Sequence, residues 1–278
     1  MGSYAHEYGA FRCHDVVLRA LRGCRRERKM ADISSRANFD ALQLTVPSFR
    51  KRLTEIRAED GVSFPWYKYD SMNNIHLLAR ILPAQYDHVF APGRRIADIG
   101  AGDGDFAFFL ANNGHKVDIF DWPLSNMNGL QAAYYLKNRL KSQARIFSLD
   151  LDTQFRMFGP YDVAMFLGIL YHLKNPFYAL EELSRNAKFM FLTTKVVRAF
   201  RQNAPDISEY AAAYLVTADE CGHDPSNFWM FTETGLRRIL DRSGWNVIEC
   251  KSNNVLLSNP QDIDERSFVF ASSRHLVR

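Results

Sequence analysis

The feature that most constrains this chain is Asp98-Ile99-Gly100-Ala101-Gly102-Asp103-Gly104-Asp105, which follows the short apolar run Arg95 to Ile99 and leads into the apolar stretch Phe106 to Leu110. A strand that turns at once into a helix must reverse sharply, and glycine allows this because no Cβ stands in the way. The helix then points its first N–H groups at whatever approaches the turn. A tight turn without a ligand is the plain alternative. Spacing narrows the ligand: a dinucleotide fingerprint G-x-G-x-x-G would place its third glycine at position 105, where Asp105 would repel a pyrophosphate. The glycines fall instead as G-x-G-x-G.

After Pro92-Gly93 short apolar runs alternate with helical stretches, the pattern of a parallel sheet covered on both faces. Strands are predicted at Arg95 to Ile99, Lys116 to Phe120, Ala144 to Ser148, Val163 to Leu167, Phe189 to Thr193, Asn246 to Cys250 and Ser267 to Ala271, with a helix at Glu233 to Ser243. The expected fold class is α/β, a Rossmann-like seven-stranded doubly wound sheet with its last strand antiparallel, preceded by an N-terminal helical extension. That extension reads helical from Phe11 to about Arg57, broken at Pro47, and is followed by the aromatic and polar segment Phe64 to Asp70 and a helix from Asn73 to Ile81. Residues 1–90 are therefore expected to form a helical extension and lid, and residues 91–278 the ligand-binding domain.

Carboxylates recur at the strand ends. Asp121-Trp122 closes the second strand about twenty residues past the glycines, where an acid accepts ribose hydroxyls. Asp150-Leu151-Asp152 follows the third, where an acid receives an adenine amino group and Trp122 packs on the ring. Polar strand ends explain any one of Asp118, Asp121, Asp150 and Asp152 equally well, but not the ordered set. Beyond Leu167 the fourth strand opens into Gly168-Ile169-Leu170-Tyr171-His172-Leu173-Lys174-Asn175-Pro176.

Over roughly residues 90 to 275 these ordered motifs resemble the class I S-adenosylmethionine-dependent methyltransferases. Within that class, Gly168 to Pro176 and Asn227-Phe228-Trp229 with Thr232 resemble the tRNA wobble-uridine carboxymethyltransferase-like family and its small-molecule-type relatives. The resemblance implies that Asp98, Gly100, Gly102 and Gly104 cradle the methionine part of S-adenosyl-L-methionine, that Asp121 binds ribose, and that Asp150 and Leu151 flank adenine. It implies that Tyr171 and His172 face the reacting methyl. Tyr171 and Arg266 stand where the carboxymethyltransferase keeps groups for a carboxylated donor, and Tyr67-Lys68-Tyr69-Asp70 is similar to its aromatic-Lys-aromatic-Asp segment, here farther from the glycines. The unmodified donor is expected.

Methyl transfer from a sulfonium is an in-line displacement that needs alignment and exclusion of water. The acceptor's proton must leave, and His172 is the candidate base, with a positioning or core role as its alternative; Tyr171 is the candidate guide for the acceptor. The stretch from Arg198 to Phe231 is too long for a plain connection and reads either as an acceptor lid or as a surface helix packed by its own aromatics. With Trp66, Tyr67, Lys68, Tyr214, Trp229 and Arg266 it makes an aromatic pocket suited to a polar small molecule.

Charge points to a second acceptor class. The chain carries a net charge of +4, and residues 1–60 hold 12 of the 35 Lys and Arg against 8 of the 31 Asp and Glu, leaving 23 against 23 elsewhere. Arg19, Arg22, Arg25, Arg26, Arg28 and Lys29 form either a solvated helix face or a phosphate contact, so a tRNA acceptor remains beside the small-molecule one, as does a donor-binding module without catalysis. No metal site is expected. Cys13, Cys24, Cys221 and Cys250 show no C-x-x-C pair and read as reduced thiols. With no long apolar run and no secretory leader, a cytoplasmic protein without membrane contact is expected.

Overall fold

The computed structural model describes residues 36–59, 61–252 and 265–277. The expected helix upstream of residue 36, with the Arg19 to Lys29 cluster, Cys13 and Cys24, lies outside them. The described residues from 37 onward make one compact unit.

The sheet forms where the apolar runs predict it. Five strands are parallel: β1 (Arg95–Ile99), β2 (Lys116–Asp121), β3 (Arg145–Ser148), β4 (Tyr161–Leu167) and β5 (Ala187–Lys195). A small antiparallel ladder follows, β6 (Ala213–Leu215) with β7 (Trp229–Phe231), and then β8 (Trp245–Ser252) and β9 (Arg266–Ser273) return to the main sheet. The main order is β3-β2-β1-β4-β5-β9-β8, with β9 antiparallel to both of its neighbours. Between Arg198 and Phe231 the surface-helix alternative is not what forms: turns and the β6–β7 ladder take its place.

Helices cover both faces because successive strand residues point to opposite sides. They are α1 (Ala37–Leu44), α2 (Val46–Arg57), α3 (Asn74–Ile81), α4 (Asp105–Asn112), α5 (Gln131–Leu140), α6 (Pro176–Asn186) and α7 (Glu233–Arg242). Ile96, Val163, Met165, Phe189, Phe191 and Phe270 join the cluster holding Phe39, Phe49, Leu53, Ile75 and Leu78 from α1, α2 and α3. Their alternates Ala97, Ala164, Phe166, Met190, Leu192 and Ala271 pack with Leu180, Leu183, Leu236 and Leu240 of α6 and α7. The core therefore runs through residue 90 without a break. Phe49 meets Phe109 edge-on at 5.5 Å, and burying such a ring contributes about 1.5–3 kcal/mol. Pro47 starts α2 in its first turn, where a missing N–H costs nothing.

β1 lies between β2 and β4, so the connections leave it in opposite directions. At such a switch point a crevice opens beyond the carboxyl ends of the strands.

Candidate active site

A cavity of about 870 Å³ fills that crevice. Asp98, Gly100 and Gly102 line it from β1, Asp121 and Trp122 from β2, and Asp150 and Leu151 from the end of β3. Leu167, Tyr171 and His172 line it from β4, with Arg266 from the start of β9. Tyr67 lines it from above the glycine loop.

All three glycines have left-handed φ angles, between 60° and 83°. At Gly102 an added Cβ would lie 3.5 Å from the Tyr67 ring, beside the cavity; at Gly104 it would lie 2.7 Å from the Phe108 ring, inside the fold. Gly104 is thus required by packing at the start of α4, and it does not line the cavity.

Buried carboxylates gather around this loop. Asp121 accepts N–H bonds from Gly102 at 3.0 Å and Trp122 at 2.7 Å, and one from the Asn126 amide at 3.2 Å. Burial nonetheless pushes it up to about 6. Burial, with the neighbouring Asp121 charge, pushes Asp98 up to about 7. Asp103 accepts from the Asn128 amide at 2.7 Å, the Tyr67 N–H at 3.0 Å and Arg57 at 3.1 Å. Asp105, pushed up to about 6 by burial, pairs with Arg57 at 2.7 Å and keeps one oxygen without a partner. Arg57 ends α2, so the N-terminal helices are tied to the loop through it. Asp150 caps its own turn, accepting from the Asp152 N–H at 2.9 Å and the Thr153 hydroxyl at 2.6 Å. Asp118 belongs to another place: it accepts from Arg145 at 2.6 Å and the Tyr161 hydroxyl at 2.7 Å, outside this cavity.

The β4 side is cationic and aromatic. Tyr171 and His172 sit in one 3-10 turn with ring centroids 4.1 Å apart. Arg266 donates to the Tyr171 hydroxyl at 3.3 Å, and Lys195, its register partner on β5, stands 5.0 Å from the Tyr171 ring. His172 Nδ1 lies 2.9 Å from the Ser226 carbonyl and 3.0 Å from the Ser226 hydroxyl. Burial holds His172 below its ordinary value, the Ser226 carbonyl and Asp224 oppose this, and Lys195 and Arg266 add to it.

Four of the expected acceptor-pocket residues do not line the cavity. Trp66 packs behind the loop against Phe64 and Tyr135, with the Arg57 guanidinium 5.1 Å above its ring. Tyr214 packs with Val197, Val216 and Met230 and donates to Glu220 at 2.8 Å. Trp229 joins the α6 and α7 side of the core. Lys68 is displaced in favour of Tyr69, whose hydroxyl donates to Asn74 at 2.9 Å and whose ring lines the cavity. Arg57, Asn126, Asn128, Asp224 and Ser226 escape a reading by motif, although Asn126-Met127-Asn128-Gly129 and Asp224-Pro225-Ser226 are recognisable turn sequences.

Among the described residues no cluster of His, Cys, Asp or Glu is arranged to hold a metal, and no helix is long and apolar enough to cross a membrane. Cys250 is a free thiol, and Cys221 is buried.

None of the curated proteins matches the chain in sequence. Among solved structures, the N-terminal domain of EvdMO1, crystallised in the presence of S-adenosylhomocysteine and D-fucose, superposes with a TM-score of 0.52 at 15% identity, over 82% of this chain and 96% of that one. An S-adenosylmethionine-dependent methyltransferase from Mesorhizobium loti gives 0.53 at 17% identity, over 72% of this chain and 97% of that one. The [4+2]-cyclase SpnF gives 0.51 at 13% identity, over 84% and 94%, so this architecture also carries a differently named activity. These likenesses bear on the fold. A family model described as a methyltransferase domain matches residues 67–250, more than half of the chain and the whole stretch that builds the cavity walls from Tyr67 to Phe228. The chain belongs to that methyltransferase domain family and is an S-adenosylmethionine-dependent enzyme.

Proposed function

We propose that the chain methylates a hydroxyl or amine of a polar small molecule seated beside Tyr171, His172 and Arg266. One observation carries this reading: a single cavity joins the glycine loop and buried Asp121 on the β1 and β2 side to a basic and aromatic wall on the β4 and β9 side. Its size falls within the range of small-molecule sites, roughly 300–1,000 Å³.

The residues fit the donor. Asp98 and Asp121 are buried and raised, so they gain from a cationic, hydroxyl-bearing ligand and disfavour a pyrophosphate. When bound, the donor supplies a methyl on a sulfonium, an electrophile that needs no covalent catalyst. Asp121, with three hydrogen bonds already accepted, has one Oδ1 lone pair left for a ribose hydroxyl, and Trp122, Asp150 and Leu151 enclose adenine in this reading. Tyr67, whose hydroxyl accepts the Met127 N–H at 2.9 Å, roofs the loop and keeps water from it. Across the cavity Tyr171 orients the acceptor and His172 removes its proton. Among the described residues no carboxylate pairs with Arg266, which leaves its guanidinium for a polar or anionic group of the acceptor.

The Arg266–Tyr171 pair also supports a second reading, methyl or carboxymethyl transfer to a tRNA wobble uridine. Incubation with methyl-tritiated donor, a cell metabolite fraction and bulk tRNA separates the two. Label in the metabolite fraction supports the small-molecule acceptor; label in tRNA overturns it.

A further inference from the structure

We infer that Ser226 and Asp224 are positioning residues that fix His172 with its proton on Nδ1, leaving Nε2 as the atom that takes the acceptor's proton. The inference rests on the methyl-transfer reading of the cavity and deepens it. It follows from which partners donate.

A backbone carbonyl only accepts, so at 2.9 Å the Ser226 oxygen requires a hydrogen on Nδ1. The Ser226 hydroxyl, 3.0 Å from the same nitrogen, has two candidate directions for its own hydrogen. Asp224 decides between them, because its carboxylate lies 2.5 Å from that hydroxyl and only accepts. The hydroxyl therefore gives its hydrogen to Asp224 and offers a lone pair to Nδ1. Two acceptors face one nitrogen, and the neutral ring has a single proton to satisfy both. Nε2 keeps its lone pair, and no hydrogen bond to it is found among the described residues.

This order differs from that of a serine nucleophile, whose hydroxyl donates to histidine. Ser226 donates away from the ring and is not activated for attack. In the transfer, the acceptor O–H bond breaks and its proton goes to Nε2 while the oxygen bonds to the methyl carbon. The carbon–sulfur bond breaks with its electron pair retained by sulfur, which ends as a neutral thioether. His172 becomes an imidazolium, and Asp224, reached from the ring through the Ser226 hydroxyl, is the carboxylate that stabilises it. The other charged groups acting on the ring are Lys195 and Arg266, with the Tyr171 ring tilted beside it, and both cations oppose that charge. Asp224 is thus the counterweight that keeps the base usable.

Nitrogen-15 NMR of histidine-labelled protein, alone and with S-adenosylhomocysteine, reads this directly, with His172→Gln identifying the signal. The expected neutral ring is protonated at Nδ1, and a ring protonated at Nε2 overturns the inference. Asp224→Asn, whose Oδ1 still accepts from the Ser226 hydroxyl, is expected to keep the Nδ1–H form and to lower the proton affinity of His172 at least about threefold, because the carboxylate charge is gone. Unchanged titration in that variant also overturns it. Should Asp224→Asn not fold, Ser226→Ala is expected to lower the same affinity and Ser226→Thr to restore it; equal titration in Ser226→Ala and the native chain counts against the inference. Failure of S-adenosylhomocysteine to bind sinks the methyl-transfer reading instead, and is scored separately from the tautomer.

Discussion

Replacing Arg57 with Met tests how the donor loop is held. Arg57 reaches Asp105 at 2.7 Å and Asp103 at 3.1 Å, and those carboxylates are only 4% and 2% exposed. Removing one partner of a buried pair costs about 3–5 kcal/mol while the other stays charged. Protonation limits the loss. Asp105 already titrates at about 6 with Arg57 present, and without the guanidinium it moves higher. A carboxylate raised above its unfolded value favours the folded state below that unfolded value, near 3.8, and loses this advantage as pH rises through the folded one. The deficit of Arg57→Met should therefore be roughly 1 kcal/mol at pH 5 and grow to roughly 3–4 kcal/mol at pH 8. Urea unfolding of both proteins at the two pH values measures it. An equal loss at both, or less than about 0.5 kcal/mol at pH 8, would refute the ion-pair argument.

Other expectations follow from the same geometry. Asp121→Ala should weaken S-adenosylhomocysteine by about 1.5–3 kcal/mol in calorimetry with the fold retained, the range for losing hydrogen bonds to a charged group. His172→Ala should lower turnover roughly 100-fold with donor affinity within a few-fold. Because His172 lies below 6.5, kcat should stay level through neutral pH and fall only on the acid side of that value; a fall already beginning above pH 7 would assign the base elsewhere. If the acceptor is tRNA, its affinity should drop steeply with salt, and neutralising Arg22, Arg25, Arg26 and Arg28 should flatten the slope by about one unit for each phosphate they had neutralised. A salt-independent response favours the small-molecule acceptor.

The architecture was legible because strand and helix patterns in a doubly wound sheet are local. Val163 to Phe166 reads as a continuous apolar run, and Ile96 to Ile99 as one interrupted only by Asp98, since both faces are covered. Glycines and acids at strand ends were legible for the same reason, being fixed to the sheet by one or two residues. What escaped depends on partners distant in sequence. Trp66 looks like pocket lining until Arg57 is found on its face, and Arg57 looks like a helix end until its two carboxylates, more than forty residues away, are seen. Gly104 carries the same sequence signal as Gly102, yet only the built backbone shows one facing a ring in the core and the other the cavity. Ser226 reaches His172 across 54 positions, a pairing no periodicity encodes.

In the proposed site the glycine loop and Asp121 hold an S-adenosylmethionine-type ligand. Calorimetric titration of the native chain with S-adenosylhomocysteine, and separately with NAD, addresses it most directly. Saturable one-to-one binding of S-adenosylhomocysteine that weakens at least tenfold in Asp121→Ala is expected, with no heat from NAD. Strong binding of NAD with no response to S-adenosylhomocysteine would contradict it.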